Sequence, residues 1–260
     1  MSTNTRRLIV ATAMLAAAAG IAQVAKAQSS VGSGRHPDLN GIWDNGNGIN
    51  HVQPVFDGNS VCVRGCEAPG GPSLPLDRPK YRPEFIAKVR DLDERQVEED
   101  TSLRCQSPGL PRIGPPDKIV QLPTQIIFLY DDLTGNYFRI IPTDGRPHDE
   151  FAAPSSLGDS IGHWEGDELV VEAINFIDST WLTDDGTFHT ENLRVVERLR
   201  RDGDILHYQA TAYDPEVLAE PWAIRPRVAV LTDLELVEAP ECIERDLEHI
   251  VDGSHHDNVR

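Results

Sequence analysis

The sequence predicts a mainly β protein, an antiparallel meander that forms a lipocalin-like barrel or a strongly curved sheet. Three observations favour this fold class over others. From Lys118 onward, seven or more short strand-like segments are separated by tight turns. Gly166-Asp167 and Asp202-Gly203 are typical of hairpin turns between two such segments. Strand and helix patterns do not alternate, which argues against a parallel α/β sheet. A two-sheet sandwich is the alternative architecture.

Apolar and alternating segments define the predicted strands. They cover residues 119–122, 125–130, 137–141, 160–165, 168–176, 193–200, 205–213 and 222–231. Because strand side chains alternate between two faces, one face of the segment 193–200 carries Leu193, Val195, Glu197 and Leu199. Pro226 interrupts the last segment, and proline cannot donate to a strand ladder, so we expect that strand at a sheet edge.

The N-terminal part of the mature chain lacks this succession of strand patterns. Residues 28–117 are rich in Gly, Asn and Pro and predict a loop-rich segment that wraps the β region 118–245 into a single domain. Its one strand signal is Leu39 to Trp43. A helix is expected over about 83–99, with Pro83 in its first turn and an apolar face of Phe85, Val89, Leu92 and Val97. The tail 246–260 is polar.

Residues 1–27 have the features of a signal peptide. Arg6 and Arg7 precede a short apolar run, and Ala25-Lys26-Ala27 supplies the small-x-small cleavage pattern, so that Gln28 is the expected mature start. An uncleaved anchor is the alternative. We therefore expect a periplasmic or secreted protein.

The charge balance excludes two classes of partner. The chain has 42 acidic against 24 basic residues, and loss of residues 1–27 removes three bases and changes the formal net charge from −18 to −21. Such a surface repels nucleic-acid phosphates and anionic membranes. The apolar run is also too short for a membrane span. The remaining partner class is a small molecule, and the sequence leaves the oligomeric state open.

Four cysteines in an exported chain predict disulfides, with three possible connectivities. The local spacing of Cys62 and Cys66 favours a bridge between them. The second bridge would then join Cys105 to Cys242. A zinc site on these thiols is the weaker alternative, since no second close pair is present.

Several motifs resemble those of a large family of secreted bacterial proteins of unassigned function. They occur in the family's order along nearly all of the mature chain: Pro37 to Trp43 (P-D-L-x-G-x-W), Cys105 to Arg112, Asp144 to His148 (D-G-R-P-H), Ser160 to Asp167 (S-I-G-x-W-E-G-D), Val195 to Arg198, Asp214-Pro215 and Pro221-Trp222. One departure is Asp149, where the pattern usually has a second proline. The resemblance implies export and membership of this family, and it lends no activity.

The turn 144–149 is the first candidate for chemistry. His148 is a possible general base near neutral pH, oriented by Asp144 or Asp149, with Arg146 as an anion clamp. The structural alternative is a rigid Asp-Gly turn with an Arg–carboxylate contact.

The second candidate is His189 with Glu191. If this segment is extended, the two side chains lie on one face, at the spacing that a base and its orienting carboxylate need. A surface His–Glu pair is the structural alternative. We further hypothesise that His148 and His189 meet at one mouth of the barrel.

Glu197 lies on an otherwise apolar strand face and needs a basic partner if it is buried. Arg112, Arg146 and Arg194 are the candidates. A structural ion pair and a carboxylate that lines a ligand cavity are equally consistent with this position. The expected substrate-binding set is Arg112, Arg146, Trp164, Glu197 and Arg198.

Two further patterns have structural explanations. Gly158 to Gly162 matches G-x-S-x-G, but that motif needs a following helix and a strand is predicted instead, so the glycines are expected to allow close strand packing. A metal site from His148, His163, His189 and Glu191 lacks diagnostic spacing. We expect no metal or other cofactor.

Together these residues predict an exported enzyme with metal-independent acid–base chemistry of the lyase, isomerase or hydratase type. Its substrate would be a small, partly apolar molecule in the barrel cavity, with His189 as base, Glu191 orienting it and His148 as acid. The alternatives are a non-catalytic binding protein of the same fold and a structural envelope protein. An enzyme should lose activity and keep its melting temperature on His189→Ala or His148→Ala. A binder should show a cavity lined by apolar side chains with few converging ionisable groups, and a structural protein should show no cavity.

Overall fold

A computed structural model describes residues 36–45, 52–56, 59–62, 77–239 and 242. For residues 52–56 and 59–62 the description is confined to the backbone. The predicted signal peptide and the tail 246–260 lie outside the described residues. Among the residues described, no helix is long and apolar enough to cross a membrane.

The described residues form twelve strands, and these confirm the mainly β prediction. They are β1 (Gly41–Asp44), β2 (Val52–Phe56), β3 (Asn59–Cys62), β4 (Lys118–Gln121), β5 (Gln125–Asp132), β6 (Gly135–Pro142), β7 (Asp159–Glu165), β8 (Glu168–Ile174), β9 (Arg194–Asp202), β10 (Ile205–Tyr213), β11 (Trp222–Ala223) and β12 (Arg227–Thr232). Strands β2 and β3 form a separate hairpin.

The other strands form one antiparallel sheet that curls into a nearly closed barrel. Its order is β6-β5-β4-β1-β12-β10-β9-β8-β7, with β11 paired to β10. The two ends of this order face each other across a seam, where Arg139 of β6 donates to Ser160 Oγ of β7 at 2.8 Å. Gly162 permits the close approach, since a Cβ there would lie 3.0 Å from Ile141 Cγ2. The G-x-S-x-G segment therefore packs strands together, as expected, and Ser160 is buried.

Two sequence expectations about position need revision. The last predicted strand is divided around Pro226 into β11 and β12, and β12 pairs with both β10 and β1. It is a central strand and not an edge, because the proline lies outside the ladder. Strand β1, from the segment expected to wrap the body, is also inserted between β4 and β12.

The helical region corresponds to the predicted one. A 3-10 turn at Pro83–Phe85 continues into α1 (Ile86–Glu94), and a short α2 (Gln96–Glu99) follows after Arg95. Phe85, Val89 and Leu92 pack against the core.

Alternation along the strands places large apolar side chains inside the barrel. The buried set includes Trp43, Phe128, Leu169, Leu199, Leu206 and Tyr208. Cys105 and Cys242 are joined by a disulfide across 137 residues, which confirms the longer of the two expected bridges. The Cys62–Cys66 pairing lies outside the described side chains.

Candidate functional site

A cleft of about 950 Å³ lies at the rim of the barrel, where β8 ends and β10 ends beside the start of β9. Loops 148–152 and 214–221 complete its walls. The barrel interior, by contrast, is occupied by buried side chains. The cleft therefore lies at the rim, whereas the sequence analysis placed the cavity inside the barrel.

His148 lies at the edge of this cleft, held between two carboxylates. Its Nδ1 is 2.7 Å from Asp159 Oδ2, and its Nε2 is 3.5 Å from Glu172 Oε1. Neither carboxylate was predicted as its partner. Asp144 instead bonds to Arg146, and Asp149 contributes only its backbone N–H, which donates to Asp159 Oδ2 at 3.1 Å.

The bond to Asp159 determines which ring nitrogen of His148 carries the proton and which keeps its lone pair. Neutral imidazole has one N–H, and donation from Nδ1 to Asp159 leaves the lone pair on Nε2. The Nε2 atom is buried and has no hydrogen-bond partner among the described residues. Glu172 Oε1 lies 3.5 Å from this nitrogen, beyond the length of an ordinary hydrogen bond, and buried nitrogens without a hydrogen bond are uncommon in folded proteins.

Glu172 is itself held in place from the next strand. Arg194 Nη1 donates to Glu172 Oε2 at 2.8 Å, and the Arg194 guanidinium lies 4.1 Å from the centroid of the Tyr213 ring. Glu172 on β8, Arg194 on β9 and Tyr213 on β10 thus form a connected set on three neighbouring strands, and Arg194 and Tyr213 line the cleft.

The loop that carries His148 is anchored by Asn175. The Asn175 side-chain amide donates to the carbonyl of Ala152 at 2.7 Å, and its backbone φ is +63°. Ser155 N–H donates to the Asn175 carbonyl at 3.3 Å. These contacts fix the position of the loop against the end of β8.

His189 does not join His148 in the cleft. It is 2% exposed, with Nε2 2.8 Å from Thr180 Oγ1 and Nδ1 3.0 Å from the Thr190 carbonyl. Burial lowers the pKa of His189. Both ring nitrogens therefore serve internal contacts.

Glu191 lines the cleft but does not orient His189. The expected extended segment turns at this point, because Leu193 N–H donates back to the Thr190 carbonyl at 3.1 Å. His189 and Glu191 consequently point to different surroundings, so the predicted pair is wrong.

Glu197 is completely buried inside the barrel, as its strand face predicted, but its partner is a different arginine. Arg139 Nη1 lies 2.6 Å from Glu197 Oε2, and the Tyr208 hydroxyl donates to Glu197 Oε1 at 3.0 Å. Arg139 also donates to the Tyr130 hydroxyl at 3.0 Å. Burial raises the pKa of Tyr208, which keeps it a neutral donor. The prediction of Arg112, Arg146 or Arg194 as the partner is wrong.

The remaining expected binding residues lie away from the cleft wall. Arg112 forms a two-bond contact with Asp100 at 2.8 and 2.9 Å, which joins the loop after α2 to the body. Arg146 pairs with Asp144 on an exposed turn. Arg198 bridges Glu165 and Glu168 on the surface, and Trp164 stacks on His36 with centroids 4.7 Å apart.

Within the described part of the chain, no group of three or more His, Cys, Asp and Glu side chains is arranged to hold a metal ion. His163 pairs with Glu165 on the exposed side of β7.

Comparison with protein-family models and with curated proteins finds no match to this chain. The motif resemblance noted above therefore stays a prediction.

Proposed function

We propose that this protein is an exported enzyme that performs acid–base chemistry on a small molecule in the rim cleft, with His148 as the proton-transfer group. The observation that carries the proposal is the His148 imidazole, tied to Asp159 through Nδ1 and without a hydrogen bond at Nε2 beside a cleft of about 950 Å³. Ionisable groups that converge on a cleft are what the enzyme alternative requires.

The arrangement supports a specific division of roles. Asp159 is a positioning residue, since its bond to Nδ1 selects the tautomer with a basic Nε2. A proton taken up at Nε2 would face Glu172 at 3.5 Å, and the positive charge would lie between two carboxylates. Arg194 holds Glu172 in this orientation. The proposed chemistry uses these side chains and no cofactor.

Export is part of the proposal. The signal-like segment 1–27 and the family resemblance favour a periplasmic or secreted location, and the Cys105–Cys242 disulfide is compatible with it. A non-catalytic binding protein is the second candidate, favoured by the apolar share of the cleft wall.

The test uses deuterium exchange. A base that removes a proton from a substrate carbon allows a deuteron from the solvent to take its place. The purified protein is incubated in D₂O with a pool of partly apolar small molecules, and the pool is read by mass spectrometry. His148→Ala should abolish any exchange or conversion seen with the wild type. His163→Ala is the matched control, since His163 is an exposed histidine on β7 and should leave turnover unchanged.

Turnover that survives in His148→Ala would refute the assignment of His148. Ligand binding in the cleft without exchange or conversion would favour the binding protein instead.

A further inference from the structure

We infer that the rim cleft selects a molecule with an apolar body and a cationic head group, such as a protonated amine. This inference rests on the proposed function and adds the chemical class of its substrate. It is carried by two features of the cleft wall: an apolar floor, and carboxylates that lack ion-pair partners.

The floor of the cleft is apolar. The lining includes Ile174 at the end of β8, Leu193 before β9, Leu218 in the loop after β10 and the ring of Tyr213. A volume of about 950 Å³ is near the upper end of pockets that hold drug-sized ligands. An apolar body of several carbons can therefore be desolvated here.

The charges around this floor do not balance. Arg194 is paired with Glu172, and Glu220 is paired with Lys80 at 2.6 Å, so these groups compensate one another. Among the residues described, the remaining lining carboxylates form no ion pair: Asp149, Glu150, Glu191 and Asp214. The second lining arginine is Arg82, which donates to the Pro215 carbonyl at 2.6 Å.

Asp214 differs from a solvated surface carboxylate, because its negative charge is buried. It is 1% exposed, and in the part of the chain that the structure describes its side-chain oxygens accept from neutral donors alone: Thr190 N–H at 2.6 Å, the Thr190 hydroxyl at 3.1 Å and Glu216 N–H at 3.2 Å. Neutral donors position a carboxylate but do not cancel its charge. Because a buried charge is poorly screened by water and salt, its field extends into the cleft.

The sequence analysis expected Arg146 to bind an anion, whereas the charges of the cleft lining favour a cation. Arg146 is engaged by Asp144 outside the cleft, and Arg194 is engaged by Glu172. An anionic substrate would therefore meet uncompensated carboxylates, whereas a cationic head group would supply their missing partner.

The test compares three ligands that share one skeleton: 4-phenylbutylamine, 4-phenylbutan-1-ol and 4-phenylbutyrate. Each is titrated at pH 7 into the ¹⁵N-labelled protein, and amide chemical shifts give both the affinity and the location. We expect shifts in residues 148–152, 191–194 and 213–221. The amine should bind about tenfold more tightly than the alcohol, and the carboxylate most weakly.

A matched pair of double variants isolates the charge effect. Glu150→Gln with Glu191→Gln should weaken amine binding about two- to fivefold and leave alcohol binding unchanged. Glu94→Gln with Glu98→Gln removes the same charge from the exposed helical region and should change neither affinity.

The outcomes separate this inference from the proposed function. Cleft shifts with an amine that binds no more tightly than the alcohol would overturn the cationic selectivity and leave the site intact. The absence of cleft shifts with all three ligands would overturn the cleft as a binding site, and both proposals with it.

Discussion

The buried ion pair between Arg139 and Glu197 gives a quantitative test of what holds the barrel seam together. Their side chains are 3% and 0% exposed and the charged atoms are 2.6 Å apart. Replacement of Glu197 by Gln leaves the arginine charge without a partner in the barrel interior. We expect Glu197→Gln to lower the free energy of unfolding by about 3–5 kcal/mol, the usual cost when one member of a buried pair is removed.

Arg139→Met should lower the free energy of unfolding by a similar amount, because it leaves the negative charge of Glu197 without a partner. The double variant Arg139→Met with Glu197→Leu removes both charges, so it should be less destabilised than the sum of the two single variants by at least about 2 kcal/mol. Some cost remains because the Tyr208 hydroxyl loses its acceptor.

Urea denaturation of the purified protein at pH 7, followed by circular dichroism, measures these differences. The control is Arg198→Met on the neighbouring outer face, where Arg198 is 41% exposed in its pair with Glu165. An exposed pair contributes at most about 1 kcal/mol. If Glu197→Gln and Arg139→Met each cost no more than Arg198→Met, the buried pair does not stabilise the seam and the reasoning is wrong.

Three further predictions concern other parts of the fold. Burial raises the pKa of Asp117 to about 7, so the native state retains a proton that the unfolded chain releases near pH 4. That stabilising contribution is complete below about pH 4 and is lost as the pH rises through about 7, so Asp117→Asn should flatten the stability profile between these values; an unchanged profile would contradict this. Gly162→Ala should cost about 1–3 kcal/mol by overpacking against Ile141, whereas Gly166→Ala, with open space around it, would test the cost of positive φ alone. Cys105→Ser should lower the free energy of unfolding by about 2–5 kcal/mol, and Cys242→Ser by the same amount; unequal losses would argue against a shared disulfide.

Side-chain alternation and turn residues predicted most strands, because both depend on residues that are close together in the sequence. Alternation of side chains predicted the apolar face of β9 that carries Glu197, and the hairpin turns predicted the β7–β8 and β9–β10 pairs. The edge position predicted from Pro226 is wrong, since a proline between two strands and a proline within an edge strand look alike in sequence.

The candidate site was only partly predictable. His148 was identified from its loop of ionisable residues, but its partners Asp159 and Glu172 come from β7 and β8, which meet the loop only after folding. Asp159 immediately precedes the S-I-G-x-W-E-G-D motif, and an acidic residue at the start of a strand was the one signal that could have identified it. His189 carried the same kind of signal as His148, yet it is buried.

The sequence by itself determined the class of fold, the positions of β4 to β10 and the need of Glu197 for a basic partner once it is buried, because these depend on side-chain periodicity and on the cost of burying a lone charge. Only the tertiary structure decided that the partner is Arg139, that β12 is central and that His148 faces the cleft. Closure of the sheet brings together residues from strands distant in the chain, and no local pattern records which of several equivalent arginines or carboxylates will meet there.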